Sequence, residues 1–243
     1  MLTAETSTKA WISSTGVEHG EKKPGSSRAG WWLLLAFLLI WAAFLLDDPV
    51  SRVTDIKTMP HLQSFARFMS KIGEGWVVAL VGVAAAGVMG WRRRFEVARW
   101  VLIVAIVGLA TGATATIIRS VIGRTRPNAR VEQGVYGPYH NSQWIIGNYE
   151  YSSFPSGHTA TVVGLAAAVW FFSRRFGFLA VAYAVLVSWS RIAQGSHHFS
   201  DVVAASLLGV FGAHWMLSRW GPRLEAFARR MQCAFLRQDR QRD

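Results

Sequence analysis

Three short segments gather residue types suited to handling a phosphate group. They are Arg119-Ser-Val-Ile-Gly-Arg-Thr-Arg126-Pro127, Pro155-Ser156-Gly157-His158 and Ser190-Arg191-Ile-Ala-Gln-Gly-Ser-His197-His-Phe-Ser-Asp201. Arginine forks match phosphate oxygens and keep their charge at any relevant pH. A single arginine at a membrane edge is an ordinary anchor, but Arg119, Arg126 and Arg191 would converge if their helices pack together. Ser156 precedes an apolar run, so its hydroxyl and the free amides of Gly157 and His158 would offer an anion site at a helix N-terminus. His197 and Asp201 stand four apart and share one face of a helix. A carboxylate there can hold one ring nitrogen, fix the tautomer and leave the other nitrogen free for nucleophilic attack. His198, three residues from Asp201, can reach it as well, and spacing alone leaves the two histidines open. His158 would be free to donate a proton to a leaving oxygen.

The elements that must position these segments are apolar. The sequence is 51% apolar and 16% charged, with runs at Trp31–Leu46, Trp76–Gly90, Trp100–Ile118, Thr159–Phe172, Phe176–Trp189 and Val202–Leu217. A spanning helix needs about 20 residues, so several runs must borrow flanking Gly, Ser, Trp and Arg. Buried helices of a soluble protein seldom come six in a row with so few polar faces. The expectation is an all-α, polytopic bundle of six transmembrane helices over residues 30–218, with a disordered tail (1–29) before it and a basic tail (219–243) after it. All three polar segments fall at the same side of this bundle, where ionisable residues are functional by default.

The net charge of +12 would suit nucleic acid if it were clustered on one polar face. It sorts by loop instead. Arg92, Arg93, Arg94, Arg99, Arg174, Arg175 and the arginines from Arg219 onward fall on the side of the N-terminal Lys9, Lys22, Lys23 and Arg28. The positive-inside rule then puts both termini in the cytoplasm and the three segments on the far side, with no nucleic acid called for. The first run is followed by Asp47-Asp48-Pro49 rather than by a small-x-small cleavage site, as in a retained signal anchor. The one cysteine, Cys233, allows neither an internal disulfide nor a cysteine metal cluster.

Between the first two runs, Leu62, Phe65, Ala66, Met69 and Ile72 recur at helical spacing against Arg67 and Lys71. Such a helix lies in the membrane interface or packs on the bundle, and the pattern fits both. Gly82, Ala86 and Gly90, then Gly108, Gly112 and Thr116, repeat every four residues, as helices that approach closely in lipid do. The loop from Asn128 to Phe154 holds Tyr136, Tyr139, Tyr149 and Tyr151 beside Trp144, suited equally to anchoring at the boundary or gripping a headgroup.

The spacings resemble the three-part signature of the type 2 phosphatidic acid phosphatase superfamily, which also includes vanadium haloperoxidases. That signature is a basic residue, six others and Arg-Pro; then Pro-Ser-Gly-His; then Ser-Arg, five others, His, three others and Asp. Arg119 stands where the family more often has lysine, which retains a phosphate-binding charge but alters its geometry. The resemblance, over roughly Trp76 to Leu217, implies a six-helix membrane fold with its active site at the non-cytoplasmic face, and no metal or other cofactor. It implies His197 as nucleophile, favoured over His198 by spacing, with Asp201 as its partner and His158 as general acid. Arg119, Arg126, Ser156, Gly157 and Arg191 would hold the phosphate. The implied partner is a lipid phosphate in a bacterial inner membrane, with a periplasmic site: undecaprenyl diphosphate, phosphatidylglycerol phosphate, phosphatidic acid or the 1-phosphate of lipid A. Rival readings are a phosphotransferase on the same fold and a lipid-binding or transport protein. A haloperoxidase suits the apolar spans poorly. Oligomeric state is left open.

Overall fold

The computed structural model describes residues 26–240, so most of the tail expected to be disordered lies outside the described residues. The chain divides into two compact units, residues 1–37 and 38–243. The described part of the first is the leading portion of helix α1 (Ser26–Leu45), whose Trp31, Trp32, Leu33 and Phe37 are exposed. The second unit is built from helices α2 (Asp47–Val53), α3 (Pro60–Ile72), α4 (Gly75–Trp91), α5 (Phe95–Ile122), α6 (Gly157–Phe172), α7 (Arg174–Ala193) and α8 (Phe199–Arg240), with a hairpin of β1 (Tyr139–His140) and β2 (Gln143–Trp144).

Each of the six apolar runs falls in a helix, α1 and α4 to α8. Three helices are long and apolar enough to cross a membrane alone: α5, α7 and residues Phe199–Gly221 of α8. Two bent pairs pass as units, α1 with α2 at 56° and α3 with α4 at 61°, giving up to five crossings by length and composition. The remaining apolar helix, α6, has 16 residues. Exposed Leu80, Val81 and Val83 on α4 and Phe176, Phe178 and Leu179 on α7 form surfaces that lipid solvates and water does not.

Helix α6 is the centre of the second unit. It contributes Ala168 to a cluster with Ile103, Val107, Ala213, Met216 and Leu217, and Val162 and Ala166 to one with Met69, Ala184 and Val187. Its Ala160 also packs with Ala115 and Ala205. The α6 residues are small, so backbones approach closely, and Thr111 Oγ1 of α5 donates across the gap to Ala160 O at 2.8 Å. The bundle thereby holds the N-terminus of its innermost helix, which carries Ser156-Gly157-His158, at one end. The amphipathic segment is α3, and it packs on the bundle: Ala66 and Met69 are buried, and Tyr183 of α7 donates to Ile72 O at 2.8 Å.

The connection from α5 to α6 is ordered by its own hydrogen bonds. Gly123 ends α5 in the left-handed region (φ 64°) and its N–H bonds Arg119 O; a side chain there would also collide with the Gly137 backbone. Asn141 and Ser142, both at positive φ, turn the hairpin. Tyr136 packs on His140 and Tyr151, and Tyr139 on Trp144, so the aromatics mostly bind one another.

On the α5–α6 contact, a Cβ added at Gly112 would overlap Thr161 Oγ1. Gly112→Val is expected to lower stability by about 1–3 kcal/mol, read as a drop in thermal midpoint in detergent. Gly90, where added atoms meet open space, should accept alanine without that loss. Equal effects at both positions would show that close packing is not what Gly112 serves.

Candidate functional site

The α5 C-terminus, the α6 N-terminus and the turn between α7 and α8 meet at one end of the bundle. They bring together all eight residues singled out by sequence. His197, in that turn, is fully buried. Its Nδ1 lies 2.9 Å from Ser153 O; a carbonyl only accepts, so Nδ1 carries the proton and Nε2 keeps its lone pair. His197 Nε2 is buried and has no hydrogen-bond partner among the described residues. Asp201 Oδ2 lies 3.6 Å from Nδ1, beyond ordinary hydrogen-bond length. The expectation from spacing has Asp201 fix the tautomer; the nearer acceptor is the Ser153 carbonyl, with the Asp201 carboxylate further off on the same nitrogen. His198 sends its backbone N–H to Asp201 Oδ2 at 2.8 Å, while its ring turns to Thr125 O at 3.2 Å.

Around Nε2 stand the cations. A Cβ on Gly157 would sit 3.4 Å from Arg119 Nη1, which places that guanidinium at the α6 N-terminus. Arg126 Nε donates to Tyr149 O at 2.8 Å and its Nη1 to Ser196 O at 3.2 Å, with Tyr149's ring 3.9 Å beneath it. Arg191 Nη1 donates to Ser70 Oγ of α3, and its buried Nε has no partner. The charges of Arg119, Arg191 and Arg126 all act on half-buried His158, and His197 is its neighbour. Ser156 caps α6, its Oγ accepting from Thr159 N at 3.5 Å, and its own N–H bonds Asp201 O at 3.2 Å. In the first turn of a helix the amides of Gly157 and His158 precede the intrahelical ladder and point outward. The arrangement is a cationic, donor-rich recess beside one unprotonated ring nitrogen, which suits a tetrahedral anion. No cluster of three metal-binding side chains occurs among the described residues.

Sequence reasoning missed the groups behind His197. Arg124, counted only as a charge, is buried and donates from Nη1 to Asp201 Oδ1 at 2.5 Å and from Nη2 to Asp47 Oδ2 at 2.7 Å. Ser153 Oγ donates to Asp201 Oδ2 at 2.5 Å. Ser200 donates its N–H to Asp47 Oδ1 and its hydroxyl to Asp47 Oδ2. The available signal was an acid at the very end of an apolar run, Asp47, and an arginine two residues before Arg126.

The PAP2 superfamily model matches residues 97–224. The lipid A 1-phosphatase of Rhizobium johnstonii is 30% identical over 103 residues, 42% of this chain and 40% of that protein. A probable lipid phosphate phosphatase 4 of Arabidopsis thaliana is 29% identical over 140 residues, 47% of this chain and 45% of that one. The chain thus spans less than half the length of these relatives. A phosphatidylglycerolphosphate phosphatase structure from Bacillus subtilis, described as PAP2 type, aligns with TM-score 0.55 at 18% identity. It covers 79% of this chain and 94% of its own, a likeness of fold.

Burial lowers the His197 imidazole from 6.5 to about 4; Asp201 opposes this, and Arg191 and Arg126 add to it. Between those two values the unfolded chain binds a proton that the folded chain refuses. Stability contributed by neutral His197 is therefore full above pH 6.5, falls as pH drops toward about 4, and levels off below it. The thermal midpoint of the wild type should fall more steeply across this window than that of His197→Gln. Parallel curves would show that the ring is not held neutral by burial.

Proposed function

The chain belongs to the PAP2 superfamily, and from that membership and the site's geometry we propose that it is an integral membrane lipid phosphate phosphatase working through a phosphohistidine. The observation that carries this reading is the buried Nε2 of His197, without a hydrogen-bond partner among the described residues and in the field of the Arg126 and Arg191 guanidiniums. Recognition of a phosphate headgroup alone requires the guanidiniums but not a ring nitrogen kept free and deprotonated among them.

The substrate phosphate is held by Arg119, Arg126, Arg191 and the Ser156–Gly157 end of α6. His197 Nε2 attacks phosphorus; the N–P bond forms as the P–O bond to the lipid breaks, and His158 gives its proton to the departing oxygen. The incoming dianion itself favours a proton on His158. Asp201 stabilises the imidazolium character that develops on His197. Water then attacks phosphorus, returning a proton to His158 and releasing phosphate. The guanidiniums neutralise equatorial charge, the task a metal performs in other phosphatases.

Counting each bent helix pair as one crossing and adding α6 gives six, with both termini cytoplasmic and the site at the outer face of a bacterial inner membrane. The substrate class is a phosphomonoester or diphosphate lipid. Phosphate release from a panel of purified lipid phosphates in detergent tests the activity, and a product that appears only when a second lipid is added would instead favour the phosphotransferase.

A nucleophile is needed for every substrate, a general acid only when the departing oxygen is a poor leaving group. His197→Ala should abolish turnover of all substrates. His158→Ala should cripple hydrolysis of an alkyl phosphate lipid and hurt p-nitrophenyl phosphate far less, because nitrophenolate leaves unprotonated. Equal losses on both, with folding and phosphate affinity intact, would remove His158 from the acid's role. Topology has its own reporter in Cys233, the only thiol. It should resist a membrane-impermeant maleimide in spheroplasts and react after lysis; labelling before lysis would invert the orientation.

A further inference from the structure

Behind His197, two carboxylates share one arginine in a buried row. Arg124 bridges Asp201 Oδ1 at 2.5 Å and Asp47 Oδ2 at 2.7 Å. Asp201 and Ser200 are fully buried, and Asp47 and Arg124 nearly so. Arg124's Nη1 also donates to Ser200 Oγ at 2.7 Å, and its guanidinium lies 4.5 Å over the Phe44 ring. The formal charges of Asp47, Arg124 and Asp201 sum to one negative charge, and the end of the row that faces His197 is Asp201.

An Asp201–Arg124 pair without Asp47 would be neutral. Its arginine would draw off the negative charge that the developing imidazolium needs, and it would add a cation behind a ring on which Arg126 and Arg191 already act. With Asp47 taking half of the fork, Asp201 keeps its net effect on His197. We propose that Asp47 and Arg124 are positioning residues for the phosphoryl transfer proposed above: Arg124 fixes the Asp201 carboxylate against the His197 turn, and Asp47 returns the row to a net negative charge. The role rests on the phosphatase reading and extends it to a residue of α2, well ahead of residue 97, where the family match begins. The other titratable group against the row is His198. Its ring N–H goes to Thr125 O, and burial and Arg124 both oppose a charge there.

Charge and scaffolding separate in a two-variant experiment on the full chain in detergent. Asp47→Asn keeps the shape and removes the charge, leaving a neutral row. Its kcat should fall by about 10- to 100-fold, as for other outer-shell partners, with KM near that of the wild type because the phosphate-holding arginines are untouched. Adding Arg124→Gln restores a net charge of one negative on Asp201, and part of the lost kcat should return, short of the wild type because Arg124 no longer fixes the carboxylate. If the side chains merely hold α2 in place, the second substitution can only add damage. A double variant no better than the single, or an Asp47→Asn kcat within twofold of the wild type, would overturn the inference. Should Asp47→Asn fail to give monodisperse protein, the double variant decides alone: turnover above that of Asp201→Asn supports the role, and equal turnover overturns it. A wild type inactive on every lipid phosphate would sink the phosphatase reading and the inference together, an outcome distinct from active wild type with an indifferent Asp47.

Discussion

A carboxylate with no exposed surface has to be surrounded by donors, and Asp201 sets that condition for the site around it. Taking an ion out of water costs several kcal/mol even after relaxation, so the fold must bring charge and hydrogen bonds to it from elsewhere in the sequence. Arg124, Ser153 and the His198 amide do so. Satisfying Asp201 therefore locks the α5–α6 connection against the start of α8. Ser153, pulled in by its hydroxyl, also places the carbonyl that selects the His197 tautomer. One buried ion thus orients the ring nitrogen through two routes, one its own charge and one the hydrogen bond from Nδ1 to the Ser153 carbonyl.

In front of the ring the balance is reversed. Arg119, Arg126 and Arg191 act on one another, and among the described residues none of them forms a salt bridge with a carboxylate. The folded chain tolerates them because carbonyls of Tyr149 and Ser196 and the Ser70 hydroxyl take their donors one at a time. Those neutral acceptors offset desolvation without cancelling the positive field. The recess is a structure suited to an anion, and the pairing of excess positive charge in front with net negative charge behind polarises His197 along the direction of the proposed attack.

Much of this was legible in the sequence, because periodicity and spacing are local. Each apolar run became a helix, and the three polar segments met because each stands at the end of one. Long-range partners were not legible. Nothing in the spacing of Asp47 and Arg124, 77 residues apart, announces that they touch, nor that Ser153 O would stand closer to His197 than Asp201 does. The bends after α1 and α3 were not legible as bends, since polar breaks such as Asp47-Asp48-Pro49 and Gly73-Glu74 end an apolar run without giving the angle at which the next helix leaves. The amphipathic α3 was read correctly as a helix, but only contact with α7 shows it to be a brace, through Ser70 on Arg191 and Ala66 O on Gln194.

The bridge from Asp47 to Arg124 also fixes an order of events during synthesis. The ribosome delivers the acid 77 residues before its arginine, and Asp201 as many residues later again. At about 5–20 residues per second, each wait lasts about 4–15 s. Throughout the first interval the Asp47 carboxylate has neither Arg124 nor the Ser200 amide, and a charge cannot remain bare in hydrocarbon. Asp47 is the first residue of α2, at the 56° bend from α1 rather than inside the apolar run that precedes it. The nascent chain has to keep this carboxylate hydrated until the last helix arrives to enclose it.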